Sequence, residues 1–113
     1  FGALCTASDV YAPADPPCPE PPSHCDGRMY ARVWAEAAAL RESGELLRRF
    51  SALRIPVTVI HGEADPHPSE GVAEPLREAG VSFSFRLLPR CGHTPWREQY
   101  ARGPFFDLLA REL

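Results

Sequence analysis

The chain has 113 residues, carries a formal net charge of −3 and is 44% apolar, with acidic and basic residues interspersed. Its length suits one small domain. It contains no basic stripe for nucleic acid and no run of about 18 apolar residues for a membrane span, so neither partner is expected. The four cysteines, Cys5, Cys18, Cys25 and Cys91, form no Cys-x-x-Cys pair and read as scattered free thiols. No secretory signal is visible, but a truncated start would have removed one, so the compartment stays open with a cytoplasmic setting favoured; the start at Phe1 instead of Met is what an excerpt or a truncated product is expected to show.

Residues 1–27 carry Pro13, Pro16, Pro17, Pro19, Pro21 and Pro22 with little apolar periodicity, the composition of a surface connector or lid remnant. The spacing also offers PxxP pairs, but a spacer is the preferred reading. Residues 28–113 read as the folded unit. Asp26 is placed to N-cap a helix from about Arg28, whose Tyr30, Val33, Trp34, Ala37 and Leu40 line one face. Ser43-Gly44 interrupts that helix, and Leu46, Leu47, Phe50 and Leu53 continue it as a second piece.

The run Ile55-Pro56-Val57-Thr58-Val59-Ile60-His61-Gly62 predicts a buried strand over 57–60, entered by a proline and left through His-Gly. Pro66 disfavours the helical region at Asp65, so that carboxylate is held on an extended loop. Pro68 and Ser69 open a helix to about Ala79. Val72, Leu76 and Ala79 form its buried face, Pro75 kinks it, and Gly80 suits the C′ position. A second strand over 81–88 ends in Cys91-Gly92-His93, with Phe83 and Phe85 alternating against polar neighbours as on a sheet edge. Trp96, Tyr100, Phe105, Phe106, Leu109 and Leu113 belong to a closing helix, reset at Gly103-Pro104 with Pro104 at N1.

Two parallel strands joined by a helix have their C-terminal ends on one side of the sheet. Asp65 and His93 are therefore expected close together, at the edge where α/β proteins place their sites. The first strand has no earlier neighbour in this sequence. Its open edge is expected to pair with another copy or another chain.

His61-Gly62-x-x-Asp65 followed by Gly92-His93, on successive strands with a helix between and after, resembles the C-terminal part of the α/β-hydrolase superfamily over Met29 to Leu113. The resemblance implies an α/β fold built as two parallel strands with flanking helices in an incomplete sheet. It implies a parent enzyme that hydrolyses esters, amides or related acyl bonds of a small-molecule substrate through a Ser-His-Asp triad, without a cofactor. In that parent Asp65 is the orienting acid and His93 the general base and acid. His67 is a candidate substrate contact at the pocket mouth. His61 and Cys91 fit structural roles, and Glu63 and Glu70 are solvated carboxylates.

The chemistry suits these residue types. An imidazole ordinarily titrates near pH 6.5, so it can take a proton near neutrality and return it to a leaving group. A carboxylate on its other nitrogen fixes the tautomer and stabilises the imidazolium. The nucleophile is missing: before Asp65 the serines are Ser8, Ser23, Ser43 and Ser51, and none sits in a Gly-x-Ser-x-Gly elbow. The piece alone is therefore expected to be inactive.

Three other readings stand beside this one. The superfamily also hosts epoxide and carbon–halogen hydrolysis with an Asp nucleophile. A non-catalytic remnant or interaction module would keep the same tail without its centre. A weaker reading is a metal protein using Cys18, His24 and Cys25. Asp65, His67 and His93 could also hold a metal together, but the resemblance accounts for two of them without one and no metal is assigned.

Overall fold

The computed structural model of the chain describes residues 7–15 and 26–112. Helix α1, Gly27–Glu42, starts as the sequence indicates, because an oxygen of Asp26 accepts hydrogen bonds from the N–H groups of Arg28 and Met29. Those donors have no partner inside the helix, and the cap satisfies them. Gly44, at φ 70°, turns the chain where a side chain would be strained and leads into α2, Glu45–Ser51.

Strands β1, Thr58–Gly62, and β2, Ser84–Leu88, pair in parallel, with Thr58 opposite Ser84 and Gly62 opposite Leu88. Helix α3, Glu70–Glu78, joins them with Pro75 inside it. A 3-10 turn at Pro95–Arg97 and helix α4, Arg102–Glu112, follow. The described chain is of mixed α/β class, with a two-stranded parallel sheet.

Several boundaries differ from the sequence reading. The second strand opens at Ser84, not Val81, because Val81 N–H bonds Leu76 O at 3.0 Å while Gly80 N–H bonds Arg77 O at 2.9 Å. With Gly80 at φ 68°, this Schellman closure uses Val81 to finish α3. The first strand runs on through His61 and Gly62, which the ladder holds opposite Leu87 and Leu88. Pro104 is the third residue of α4, not the first, and Trp96 and Tyr100 precede that helix. The first four N–H groups of a helix have no internal acceptor, so a proline is tolerated there too.

Leu88, Cys91 and Ala101 form the core cluster, with Ile60, Phe105 and Leu108 packed partly buried against it. Ala73 and Leu76 are buried on α3. The apolar face expected of α1 is not covered among the described residues: Tyr30, Val33 and Trp34 are each more than half exposed. The far edge of β1 has no strand partner among the described residues either. No described helix is long and apolar enough to cross a membrane.

Part of the proline-rich connector is a strap against the histidine loop, not a free spacer. Gln99 N–H bonds Ala12 O at 2.7 Å, Ala14 N–H bonds Arg97 O at 2.8 Å, and Pro13 forms a bridge with Glu98. Arg102 closes the strap on Asp15 at 3.0 Å. The remaining proline pairs, together with Cys5, Cys18, His24 and Cys25, lie outside the described residues.

Candidate active site

The acid loop and the histidine loop are joined by backbone before any side chain is considered. Glu63 N–H bonds Leu88 O at 2.9 Å, and Ala64 N–H bonds Cys91 O at 2.8 Å. The loops approach so closely that a Cβ at Gly62 would collide with the Gly92 and Cys91 carbonyls. Glycine is needed at Gly62 for proximity, not for an unusual backbone angle.

This junction sets Asp65 against His93. Oδ2 of Asp65 lies 2.9 Å from Nδ1 of His93, and the Asp65 side chain is 5% exposed while that of His93 is 49% exposed. Oδ1 is occupied by the residue two further on: His67 N–H donates to it at 2.8 Å, and His67 Nδ1 lies 2.9 Å away. The Asp65-Pro66-His67 segment is thus an Asx turn, a local closure that Asp favours. The rings of His67 and His93 stand 4.8 Å apart. The structure therefore places His67 on the acid itself, beside His93.

Burial pushes the Asp65 carboxyl up. The hydrogen bonds from the His67 backbone, His93 and the His67 ring outweigh it and leave the pKa lowered. The carboxylate stays ionised, as an acid that orients an imidazole must. His61 is buried, with Nδ1 2.9 Å from Gly62 O and Nε2 3.7 Å from Asp65 Oδ2, beyond hydrogen-bond range. Its ring stacks over Phe85 at 6.1 Å.

Beside these groups opens a cleft of about 520 Å³, with Ile60, Val72, Asp65, His67 and His93 in its lining. It joins apolar wall to a few convergent polar groups, the usual make-up of a small-molecule site. Cys91 sits in the core beside this cleft. It is fully buried, and burial first, then the Glu98 and Asp65 charges, pushes its thiol up to about 11.

Sequence reasoning missed Glu98. It has no exposed surface, yet its carboxylate accepts N–H bonds from Tyr11 and Gly92 on Oε1, at 2.7 and 2.8 Å, and from Ala12 on Oε2 at 2.7 Å. His93 N–H meanwhile donates to Asp9 O at 2.6 Å. Glu98 therefore fastens the strap to the loop that carries His93. A carboxylate five residues beyond Gly-His is a weak signal, because its partners are backbone groups. Thr94 Oγ1, next to His93, is buried without a hydrogen-bond partner among the described residues.

No protein-family model, curated protein or solved structure matches the chain. The functional reading rests on the residues themselves.

Proposed function

We propose that this chain is the acid–base segment of an α/β-fold hydrolase, in which Asp65 orients His93 and His93 serves as general base and acid toward a serine supplied elsewhere in the gene product. The observation that carries the reading is the Asp65 Oδ2 to His93 Nδ1 contact of 2.9 Å, made by loops at the C-terminal ends of two adjacent parallel strands. With Nδ1 committed to the acid, Nε2 is the nitrogen left to take a hydroxyl proton and return it to the leaving group. Asp65, with its pKa lowered, remains a carboxylate throughout and stabilises the imidazolium.

The substrate class is an ester, amide or related acyl compound, bound in the cleft against Ile60 and Val72. The edge of β1 that has no strand partner among the described residues and the exposed face of α1 are consistent with further sheet and helix packing there. Turnover of a p-nitrophenyl ester by the full-length gene product tests the proposal. Activity that falls by at least about a thousandfold in His93→Ala supports it. Activity indifferent to His93 and Asp65 rejects it.

A further inference from the structure

The acid–base pair does not use His67, and yet His67 spends both its backbone N–H and its ring on Asp65. We propose that Asp65, His67 and His93 form a site for a divalent transition-metal ion of the zinc class, and that its binding withdraws His93 from catalysis. Two imidazoles and one carboxylate are a ligand set that suits such ions, whereas calcium and magnesium take oxygen ligands. Zinc bonds nitrogen at about 2.0–2.1 Å and oxygen at about 2.0–2.2 Å, so neighbouring ligand atoms of a tetrahedron lie roughly 3.3 Å apart. Here Oδ1 of Asp65 is 2.9 Å from His67 Nδ1, Oδ2 is 2.9 Å from His93 Nδ1, and one ligand atom from each residue falls within 4.8 Å of the others.

The adjustment needed is small and falls on the groups that can move. Asp65 is buried and pinned by the His67 backbone, so it serves as a fixed anchor. The His67 side chain is 67% exposed and that of His93 about half exposed, so both rings have room to turn. Moving the ring proton to Nε2 presents each Nδ1 lone pair to the ion without changing the charge of either ring. The adjoining cleft, which these three residues help to line, has space for the water that would complete the coordination. An ion held in this way replaces the hydrogen bond between Asp65 and His93. That consequence rests on the hydrolase reading, whereas the binding stands on the three side chains alone.

The test is a zinc titration of the full chain against a chromophoric chelator, in a Cys5→Ser, Cys18→Ser, Cys25→Ser background that removes every thiol except the buried Cys91. One equivalent of zinc should bind, with affinity at least about tenfold weaker in His67→Ala and in His67→Gln, since loss of a direct ligand exceeds loss of an outer partner. Matching thermal midpoints would show that both variants fold. No bound zinc, or affinity undiminished in either folded variant, overturns the site. In a full-length product that hydrolyses esters, turnover should fall with zinc occupancy and return on chelation. Full turnover at full occupancy overturns the inhibitory role while leaving the hydrolase reading intact. A zinc site in a product that hydrolyses no ester would uphold the binding and end the hydrolase reading.

Discussion

Asp65 and His93, 28 residues apart in the chain, meet with Oδ2 of the acid 2.9 Å from Nδ1 of the imidazole. The sheet makes that meeting possible. Gly62 and Leu88 are register partners at the ends of β1 and β2, and the bond from Ala64 N–H to Cys91 O then draws the two outgoing loops together.

Replacing the acid should disable the pair without unfolding the chain. Asp65→Asn keeps the side chain's shape but puts an amide where a carboxylate accepts from two rings and a backbone N–H. Ester turnover by the full-length product is expected to fall by about 10⁴, the scale seen when a triad acid is made neutral. Steady-state rates with the soluble ester check this.

Glu98 is predicted to matter for the histidine loop through the backbone N–H groups of Tyr11, Ala12 and Gly92 that it binds. Glu98→Gln leaves one of the three N–H groups, buried at Gly92 and partly buried at Tyr11 and Ala12, facing an amide donor, a loss of about 1–3 kcal/mol in unfolding free energy. Glu98→Ala should cost more, since all three donors are then unpaired. Denaturant unfolding reads the energy, and faster amide exchange at Tyr11, Ala12 and Gly92 reads the place.

Gly62, at the end of β1, and Gly92, in the histidine loop, should resist any side chain. A Cβ at Gly62 meets the Gly92 and Cys91 carbonyls, and one at Gly92 meets the Asp9 carbonyl and the Glu98 carboxylate. Gly62→Ala and Gly92→Ala are each expected to destabilise by at least about 1–3 kcal/mol, the usual cost of forcing atoms into a filled space. Gly71→Ala, where the added atom meets nothing, should fall within about 1 kcal/mol of the parent. Thermal unfolding of the three variants compares them.

Stability should fall at both ends of the pH scale, for opposite reasons. The Asp65 pKa is lowered in the folded chain, so its contribution is complete above the ordinary value of about 3.9 and is lost as pH drops through the lower folded value. Cys91 is raised to about 11, so the folded chain keeps a proton that the unfolded chain sheds above about 8.5. Its contribution is complete below that value and is lost as pH rises toward 11. Asp65→Asn should flatten the acid limb and Cys91→Ala the alkaline limb. Glu45, held at about 2 by Arg48 and Arg49, adds to the acid limb in both parent and Asp65→Asn and cancels in their difference.

What the sequence made legible was the part governed by local rules. The Asp26 cap, the break at Gly44, the Gly80 closure and the parallel pairing of the two strands follow from side-chain preference, positive φ and the apolar run. The close approach of Asp65 and His93 followed from that pairing. The strap over residues 9–15 did not, because backbone groups hold most of it and they look alike in any sequence. Glu98 escaped notice for the same reason. The attachment of His67 to Asp65 had a signal in the Asp-Pro-His order, since an Asp side chain readily bonds the N–H two residues on. The exposed face of α1 was legible as apolar, but its burial depends on what packs there, which periodicity does not specify.

The central claim, that Asp65 and His93 are the acid–base half of a serine hydrolase, is tested most directly with a fluorophosphonate probe that labels activated serines. The full-length gene product should be labelled, the 113-residue chain alone should not, and His93→Ala should abolish the labelling. A full-length product that stays unlabelled, or is labelled equally fast without His93, would contradict the claim.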